Sequence, residues 1–289
     1  MDKLEEFTTT RVFKEQFPSI AVTPRVVYPG INLDAYGTGT VKLDDPDIAS
    51  VLSDRPTLLS LNRFEQKKNA GLAIDSFALL RAKLASSPGD HPRKLRLVLA
   101  GGYDPRLLDN VKTLQSLLES AKRHGLTYKV TTPSTSTVAS PALPFRKNSE
   151  KAPQETDILF LLNFSIGQRS ALLTSSSTLA LLYTPANEHF GIGPVEGMAC
   201  GLPVLACDSG GPTESVVGAP VTERTGWLRR PEPKLWAEAL LEIFNLSEEE
   251  RSQLAERARR RAREKFGMEA MARDLEDALQ KTAGMGPPS

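Results

Sequence analysis

Short apolar runs alternate along this chain with longer stretches whose apolar residues recur every three or four positions. The short runs have the length and residue types of buried β-strands, and the longer stretches have the spacing of helices. We predict strands at Val26–Tyr28, Thr57–Leu61, Leu95–Ala100, Tyr128–Thr131, Ile158–Leu162, Leu179–Tyr183 and Pro203–Cys207. Strands that alternate with helices form a parallel sheet covered on both faces. The alternation therefore predicts an α/β fold.

Helical patterns separate these runs and fill the last part of the chain. We predict helices at Ala70–Leu84, Pro105–Arg123, Arg169–Ser175, Leu235–Phe244, Ser247–Phe266 and Met268–Gln280, and helix starts at Pro194 and near Glu214. The helix at Ser247–Phe266 carries arginines at positions 257, 259, 260, 261 and 263. These arginines form either a solvent-exposed helix face or a contact for anionic lipid headgroups.

Three polar turns follow predicted strands, at residues 101–102, 188–196 and 208–214. In an open parallel sheet, ligands bind in the crevice beyond the carboxyl ends of the strands. We therefore expect all three turns to face one crevice, and we expect that crevice to be the binding site.

The turn at residues 188–196 is the most informative of the three. Glu188 and Glu196 lie eight positions apart on either side of a glycine-rich segment that ends in Pro194. Proline suits the first position of a helix, which would place Glu196 in the first turn. Backbone N–H groups at a helix start bind anions, and carboxylates bind hydroxyl groups. The turn thus predicts a site for a nucleotide sugar; the alternative is an ordinary strand–turn–helix in which Glu196 only suits the helix dipole.

Two cations, Arg63 and Lys68, follow the predicted strand at Thr57–Leu61 in the segment LNRFEQKKN. A strand end followed by cations and a helix would deliver both charges to the same crevice. Arginine suits bidentate phosphate contacts, and lysine adds a compact charge. Lys67 competes with Lys68 for the second role. With the Glu188 turn, these cations predict a clamp for the phosphates of a donor.

Other kinds of site fit the sequence less well. Glu188 and Glu196 could form a paired-carboxylate glycosidase, but a hydrolase needs no cationic clamp. The sequence has no P-loop motif, and no G-x-G-x-x-G motif spans the glycines at 101–102. His189 either binds a sugar hydroxyl or the diphosphate, or packs beside Phe190.

The composition limits the partners of the chain. Its 36 basic and 35 acidic side chains nearly cancel, so the charge gives no indication of a nucleic-acid partner. No apolar run approaches the 18 residues of a membrane span, and residues 1–17 lack the apolar core of a signal peptide. Cys200 and Cys207 lie in apolar sequence, which predicts buried structural thiols rather than a metal site.

These residues together resemble the retaining GT-B glycosyltransferases with an E-x7-E motif, in particular their C-terminal, donor-binding domain. Three segments are most similar to the α-1,3/1,6-mannosyltransferases of the dolichol pathway: YPGIN (28–32), LSLNRFEQKKN (59–69) and LLYTPANEHFGIGPVEGMACGLPVLACDSGGPTE (181–214). The resemblance runs from about residue 7 to residue 280. It implies a Rossmann-like parallel sheet with helices on both faces, the C-terminal half of a GT-B fold.

The resemblance implies a donor, an acceptor and a place of action. The donor would be GDP-mannose, used without a cofactor or a metal ion. The acceptor would be a dolichol-diphosphate-linked oligosaccharide at the cytosolic face of the endoplasmic reticulum membrane, in the assembly of the N-glycan precursor. Transfer would retain the α configuration.

The resemblance also implies roles for the site residues. Arg63 and Lys68 would hold the donor diphosphate, and Glu188 would contact the transferred mannose and stabilise charge at its anomeric carbon. These three are the predicted catalytic residues. Glu196 would bind the ribose hydroxyls. The remaining donor contacts would come from His189, Phe190 and Gly191.

Several segments depart from the family pattern. Residues 1–20 resemble the last helix of the N-terminal GT-B domain and its linker, and residues 21–289 form the predicted donor domain. Residues 132–157 are rich in proline, serine and threonine, which predicts a flexible insertion. We expect a donor-binding half-enzyme that needs the N-terminal domain or a partner chain for transfer. The alternatives are a retaining transferase for another nucleotide sugar and a non-catalytic nucleotide-sugar-binding module.

Overall fold

The computed structural model describes residues 13–20, 25–36, 44–86, 94–136 and 156–284. The described strands are β1 (Thr57–Leu61), β2 (Arg96–Gly101), β3 (Tyr128–Thr131), β4 (Ile158–Leu162), β5 (Thr178–Tyr183), β6 (Val204–Cys207) and β7 (Gly226–Arg229). They form one sheet in the order β3-β4-β2-β1-β5-β6-β7, in which all neighbouring strands are parallel. The predicted parallel sheet is confirmed.

The helices of the described residues alternate with these strands and then close the chain. The α-helices are α1 (Pro46–Ala49), α2 (Gly71–Ala85), α3 (Leu108–Arg123), α4 (Ile166–Thr174), α5 (Ile192–Cys200), α6 (Pro212–Ser215), α7 (Pro233–Phe244), α8 (Glu248–Phe266) and α9 (Met268–Ala283). Short 3-10 helices lie at Leu33–Tyr36, Gln66–Lys68 and Val221–Glu223. Helix α4 begins three residues before the predicted Arg169, because Ser165 and Gln168 form a capping box at its N-terminus.

Helices cover both faces of the sheet, as predicted. Successive side chains of a strand point to opposite faces. Leu58 of β1 packs into a core cluster with residues of α2, α3 and α7. Its neighbour Leu59 packs into a second cluster with residues of α4, α5 and α8. All five residues of β4 are buried, as is typical of a strand covered on both sides. The Rossmann-like α/β class is therefore confirmed.

The structure differs from the predicted strands in two places. Residues Val26–Tyr28 are not a strand; Arg25 instead pairs with Asp274 and Asp277 of α9, and the Tyr28 ring packs against Phe266. Strand β7 was not predicted, because it has only four residues and begins with a glycine. Its Trp227 is buried and its indole N–H donates to Glu242 at 2.6 Å, which fixes this edge strand against α7.

The strand order reverses between β1 and β5. From β1 the chain moves outward through β2 to β3 and β4, whereas β5 lies on the other side of β1 and leads outward to β6 and β7. The helix that follows β1 packs on one face of the sheet, and the helix that follows β5 packs on the other. Ligands of doubly wound sheets bind at such a reversal, outside the carboxyl ends of the two strands. The topology thus singles out the loops after β1 and β5.

The arginines of α8 only partly form the predicted exposed face, and the lipid contact stays a prediction. Arg257, Arg259 and Arg261 donate hydrogen bonds to backbone carbonyls of Arg224, Cys200, Glu214 and Ser215, whereas Arg260 and Arg263 are exposed. Three of the five therefore bind the ends of other elements.

Parts of the predicted domain boundaries fall outside the described residues. These are residues 1–12 of the segment 1–20 and residues 137–155 of the insertion 132–157, so both assignments stay predictions. At the described start of the insertion, the Ser134 backbone N–H and hydroxyl both donate to Asp47 of α1. None of the described helices combines the length and the apolar composition needed to cross a membrane.

Candidate active site

Lys68 and Glu188 form an ion pair across the reversal of strand order. Lys68 ends the 3-10 helix after β1, and the buried Thr184 hydroxyl at the end of β5 donates to its carbonyl oxygen at 2.6 Å. The Lys68 ammonium lies 2.5 Å from Glu188 Oε1, and the two side chains are 11% and 25% exposed. The structure thus brings a largely buried cation and a carboxylate together at the point that the topology singles out.

The other two cations of this loop point elsewhere. Arg63 and Lys67 both pair with Glu65, at 2.8 Å and 3.4 Å, and their side chains are 63% and 67% exposed. Lys68, and not its competitor Lys67, therefore joins Glu188. Arg63 lies at the edge of the sheet beside Gly102, where an added Cβ would be 3.3 Å from Arg63 Cγ. Among the described residues Arg63 pairs with Glu65 and not with Glu188, so its convergence with the acidic loop stays a prediction.

The turns at 188–196 and 208–214 lie against each other, as predicted. The Gly211 N–H donates to the Glu188 carbonyl at 2.7 Å. A Cβ at Gly210 would be 2.3 Å from that carbonyl oxygen, and one at Gly211 would be 2.2 Å from the Phe190 carbonyl oxygen. Only glycine allows the two turns to approach this closely. The turn at 101–102 likewise contacts the loop after β1, because the Phe64 N–H donates to the Gly102 carbonyl at 3.0 Å.

Helix α5 begins earlier than the position of its proline predicts. Gly191 is the N-cap with φ of 82°, so Pro194 is the third helical residue and not the first. Glu196 consequently lies in the second turn, and the prediction that it belongs to the first is wrong. The ring of Tyr183 underlies this helix start, since a Cβ at Gly191 or at Gly193 would approach it to 3.1 Å. Gly191 makes no side-chain cap hydrogen bond, so the first N–H groups of this helix are not capped by its side chain.

Glu196 is held by two residues that the sequence did not indicate. The Tyr36 hydroxyl donates to Glu196 Oε1 at 2.6 Å, and the Arg169 guanidinium donates to the same oxygen at 3.0 Å. The Glu196 side chain is 11% exposed. The Ser165–Gln168 capping box could have placed the start of α4, and with it Arg169, but no local pattern connects Tyr36 to Glu196.

Phe190 and His189 differ in their surroundings. The Phe190 ring packs with Tyr28 and Phe266, at centroid distances of 5.9 Å and 5.6 Å. Tyr28 in turn donates to Glu214 at 2.9 Å. His189 is exposed, and among the described residues it has neither a hydrogen bond nor a ring contact. The alternative in which it packs beside Phe190 gains no support, and its role toward a ligand stays a prediction.

Burial and the two carboxylates keep nearby tyrosines protonated. Burial, and next the charge of Glu188, raises the pKa of Tyr183 well above its usual value. Burial, and next the hydrogen bond to Glu196, does the same for the pKa of Tyr36. The Tyr36 hydroxyl therefore acts as a donor to Glu196 at every physiological pH. The described residues contain no group of three His, Cys, Asp or Glu side chains able to hold a metal ion.

Two cavities open elsewhere on the molecule. One, of about 780 Å³, lies at the amino ends of β1 and β5 and is lined by Ser53, Pro56 and Ser177 among others. The other, of about 680 Å³, lies between α8 and the ends of α4 and α5, with Tyr36 in its wall. None of the seven predicted site residues lines either cavity. We place the site at the carboxyl edge, because charge and topology converge there.

The parallel sheet and the charged residues at its carboxyl edge are typical of glycosyltransferases, and a comparison with known families finds the same class. A family model described as glycosyl transferases group 1 matches residues 143–261. Over these residues the chain is therefore similar to the group 1 glycosyltransferases.

Within this class, the similar sequences share one name. The chain is 38% identical to the α-1,3/1,6-mannosyltransferase ALG2 of Rhizomucor pusillus, over 96% of its own length and 59% of that protein. It is 34% identical to the ALG2 of Homo sapiens, over 95% of its own length and 60% of that protein. The chain thus spans little more than half the length of the curated relatives that it matches.

Solved structures show the same fold at lower identity. Sucrose-phosphate synthase from Thermosynechococcus elongatus has a TM-score of 0.67 at 19% identity, over 96% of this chain and 57% of that chain. HepE from Anabaena in complex with UDP-glucose has a TM-score of 0.64 at 18% identity, over 94% and 62%. The C-terminal domain of a glycosyl transferase group 1 family protein from Francisella tularensis has a TM-score of 0.55 at 15% identity, over 83% and 100%.

Proposed function

We propose that this chain binds the nucleotide-sugar donor of a retaining mannosyltransferase, with GDP-mannose as the donor. The observation that carries the proposal is the Lys68–Glu188 pair, which lies across the strand reversal beside the glycine-rich start of α5. The similarity to α-1,3/1,6-mannosyltransferases over most of the chain supports mannose as the transferred sugar.

The charges of the site suit a nucleoside diphosphate sugar. An ammonium donates three hydrogen bonds, so Lys68 binds a phosphate oxygen while it keeps its bond to Glu188. The N–H groups at the start of α5 add a partial positive charge toward the same phosphates. Arg63 has a long, exposed side chain at the same edge and supplies a second cation when a donor is bound.

The two carboxylates serve different parts of the donor. Glu188 is next to Lys68, so it contacts the transferred mannose and stabilises positive charge at the anomeric carbon. Glu196 is eight residues further on, inside α5, and binds the ribose hydroxyls. Because two cations and a helix start already neutralise the diphosphate, the reaction requires no metal ion.

The similarity to α-1,3/1,6-mannosyltransferases supports a proposal for the acceptor and the location. We propose transfer to a dolichol-diphosphate-linked oligosaccharide at the cytosolic face of the endoplasmic reticulum membrane, through α-1,3 and α-1,6 linkages. A second donor class deserves a direct comparison, because HepE, which shares the fold, was crystallised with UDP-glucose. A retaining transferase for a UDP-linked sugar is therefore the alternative.

Calorimetric titration with GDP, UDP and ADP tests the donor site. We expect GDP to bind more tightly than UDP or ADP. Lys68→Ala should lower the affinity for GDP by about tenfold or more, since a hydrogen bond to a charged group contributes about 1.5–3 kcal/mol. Lys67→Ala is the matched control, because Lys67 is the adjacent lysine and its side chain is 67% exposed. It should change the affinity less than about twofold, as exposed pairs contribute little.

Three results would count against the proposal. Failure of the wild-type chain to bind any of the three nucleotides would refute the donor site. Equal losses in Lys67→Ala and Lys68→Ala would refute the assignment of Lys68. A clear preference for UDP would replace GDP-mannose with the alternative donor.

A further inference from the structure

Glu196 has one carboxylate oxygen fixed and one left for another partner. Tyr36 and Arg169 both donate to Oε1, at 2.6 Å and 3.0 Å. Within the described ranges, no hydrogen bond reaches Oε2. The Arg169 guanidinium also lies over the Tyr36 ring, 5.7 Å from its centroid, so the two donors stabilise each other.

Glu188 has the same arrangement with a different cation. Lys68 binds its Oε1 at 2.5 Å, and no described residue donates to its Oε2. Each acid of the E-x7-E motif thus receives a cation from a separate element, and each keeps its second oxygen free. The two cations come from different parts of the chain, because Lys68 follows β1 and Arg169 lies in α4.

Arg169 lies in the first part of α4, and hydrogen bonds hold the start of this helix in place. The capping box of Ser165 and Gln168 fixes the first turn of α4. The Gln168 amide also donates to the Asp47 carbonyl at 3.0 Å, which connects this turn to α1. Arg169 is the next residue, and its side chain is 27% exposed. These contacts fix the start of the helix that carries Arg169, and the Arg169 side chain itself is held by Glu196 and by the Tyr36 ring.

We infer that Arg169 and Tyr36 are positioning residues that aim Glu196 Oε2 at a ribose hydroxyl of the donor. This inference rests on the proposed function. A carboxylate held at one oxygen cannot rotate away, so its free oxygen stays where a hydroxyl must bind. A site built to hydrogen-bond a hydroxyl discriminates strongly against the analogue that lacks it. Arg169 and Tyr36 therefore set the preference of the site for ribose over deoxyribose.

The affinity ratio between GDP and its 2′-deoxy and 3′-deoxy analogues tests the inference. We expect the wild type to prefer GDP over at least one analogue by about tenfold, the effect of one lost hydrogen bond of ~1.4 kcal/mol. Glu196→Gln and Arg169→Met should both reduce that ratio to near one. Arg169→Lys should restore part of it, since the ammonium reaches the same oxygen.

Tyr36→Phe provides a gentler variant, because it removes the hydroxyl and keeps the ring. It should lower the affinity ratio between GDP and its deoxy analogues less than Arg169→Met does. If Arg169→Met fails to fold, the result for Tyr36→Phe alone tests the inference. Arg260→Met is the control, since Arg260 is exposed on α8 and donates neither of the two hydrogen bonds that Glu196 accepts. Its ratio should equal that of the wild type.

The outcomes separate the inference from the proposed function. If all variants bind GDP and the ratio is unchanged in both Arg169→Met and Tyr36→Phe, the positioning role is refuted and the donor site stands. If the ratio collapses in Glu196→Gln alone, Glu196 binds ribose without help from Tyr36 or Arg169, and the inference is again refuted. If the wild type binds no GDP, both proposals fail together.

Discussion

The ring of Tyr183 determines which residue can begin α5. It lies beneath Gly191 and Gly193, where a Cβ would come within 3.1 Å of the ring. Gly191 also has φ of 82°, a conformation that costs other residues about 1–2 kcal/mol. Steric contact and backbone conformation thus both require glycine at the helix start, and this requirement moves the start of α5 ahead of Pro194.

We predict that Gly191→Ala destabilises the fold more than Gly125→Ala does. Gly125 has φ of 65° but no atom within 4 Å of an added Cβ, so it shares the backbone cost without the contact. We expect Gly125→Ala to lose about 1 kcal/mol and Gly191→Ala to lose about 2 kcal/mol or more of unfolding free energy. Urea denaturation measures both values. Equal losses would show that the Tyr183 contact costs nothing.

The two thiols should be unreactive in the folded state; the predicted burial is confirmed for Cys207, whereas Cys200 is only partly buried. Burial raises the pKa of Cys200 and of Cys207 to about 12, with smaller contributions from the charges of Glu196 and Asp208 respectively. An unfolded thiol ionises near pH ~8.5, so between that pH and about 12 the folded state binds more protons. Stability should therefore fall as the pH rises through this range.

Alkylation with iodoacetamide at pH 8 checks the thiol prediction. The fully buried Cys207 should react at least about tenfold more slowly in the native chain than in urea, because the thiolate is the reactive form. Mass spectrometry assigns the two sites separately. Rapid labelling of native Cys207 would contradict the burial of this strand end.

Residue identity alone could not decide between neighbouring candidates. Lys67 and Lys68 are equivalent in sequence, yet only Lys68 is turned toward Glu188 because the 3-10 helix at Gln66–Lys68 sets their directions. Tyr36 and Glu196 are separated by 160 positions, and their contact depends on the whole fold. Sequence thus indicated Lys68 and Glu188 as candidates, whereas the contacts of Glu196 with Tyr36 and Arg169 required the structure.

Helix α8 acts as a set of caps for other elements. Its arginines donate to the last carbonyls of α5 and α6 and to a carbonyl beside the 3-10 helix at Val221–Glu223. Cations at helix C-termini satisfy unpaired carbonyls and complement the helix dipole. A charge cluster read from sequence does not distinguish this role from an exposed face, because the partners are distant in the chain.

We predict that Arg261→Met destabilises the fold and that Arg260→Met does not. Arg261 donates to the carbonyls of Glu214 and Ser215, each at 2.7 Å, and both residues are buried. Loss of these bonds should reduce the unfolding free energy by about 1.5–3 kcal/mol. Arg260 is exposed, so its replacement should change stability by less than about 0.5 kcal/mol. Similar effects in urea denaturation would refute the capping role.

Element positions were largely predictable where apolar runs are long and buried. Strands β1, β3 and β4 begin and end at the predicted residues, and β2, β5 and β6 begin within one residue of the prediction. Strand β7 was not predicted, because its four residues begin with a glycine and include only two apolar side chains. Val26–Tyr28 has strand-like residues but packs on α9 and Phe266 instead of joining the sheet. Tertiary contacts therefore decide the short edge segments.

At the scale of the whole molecule, the strand reversal explains why the site lies where it does. Lys68 after β1 and Glu188 after β5 come from segments 120 residues apart, and the parallel sheet brings their loops to one edge. The helices after these strands cover opposite faces of the sheet, and ligands of doubly wound sheets bind at such a reversal. The fold thus brings Lys68 and Glu188 together beside the start of α5, although Lys68 is far from the other two in the sequence.

A crystal structure of the chain with GDP-mannose tests the central claim most directly. The account predicts a diphosphate oxygen within about 3 Å of Lys68 Nζ and the start of α5, with the ribose beside Glu196 Oε2. A nucleotide bound instead in the cavity at the amino ends of β1 and β5, beside Ser53 and Ser177, would contradict it.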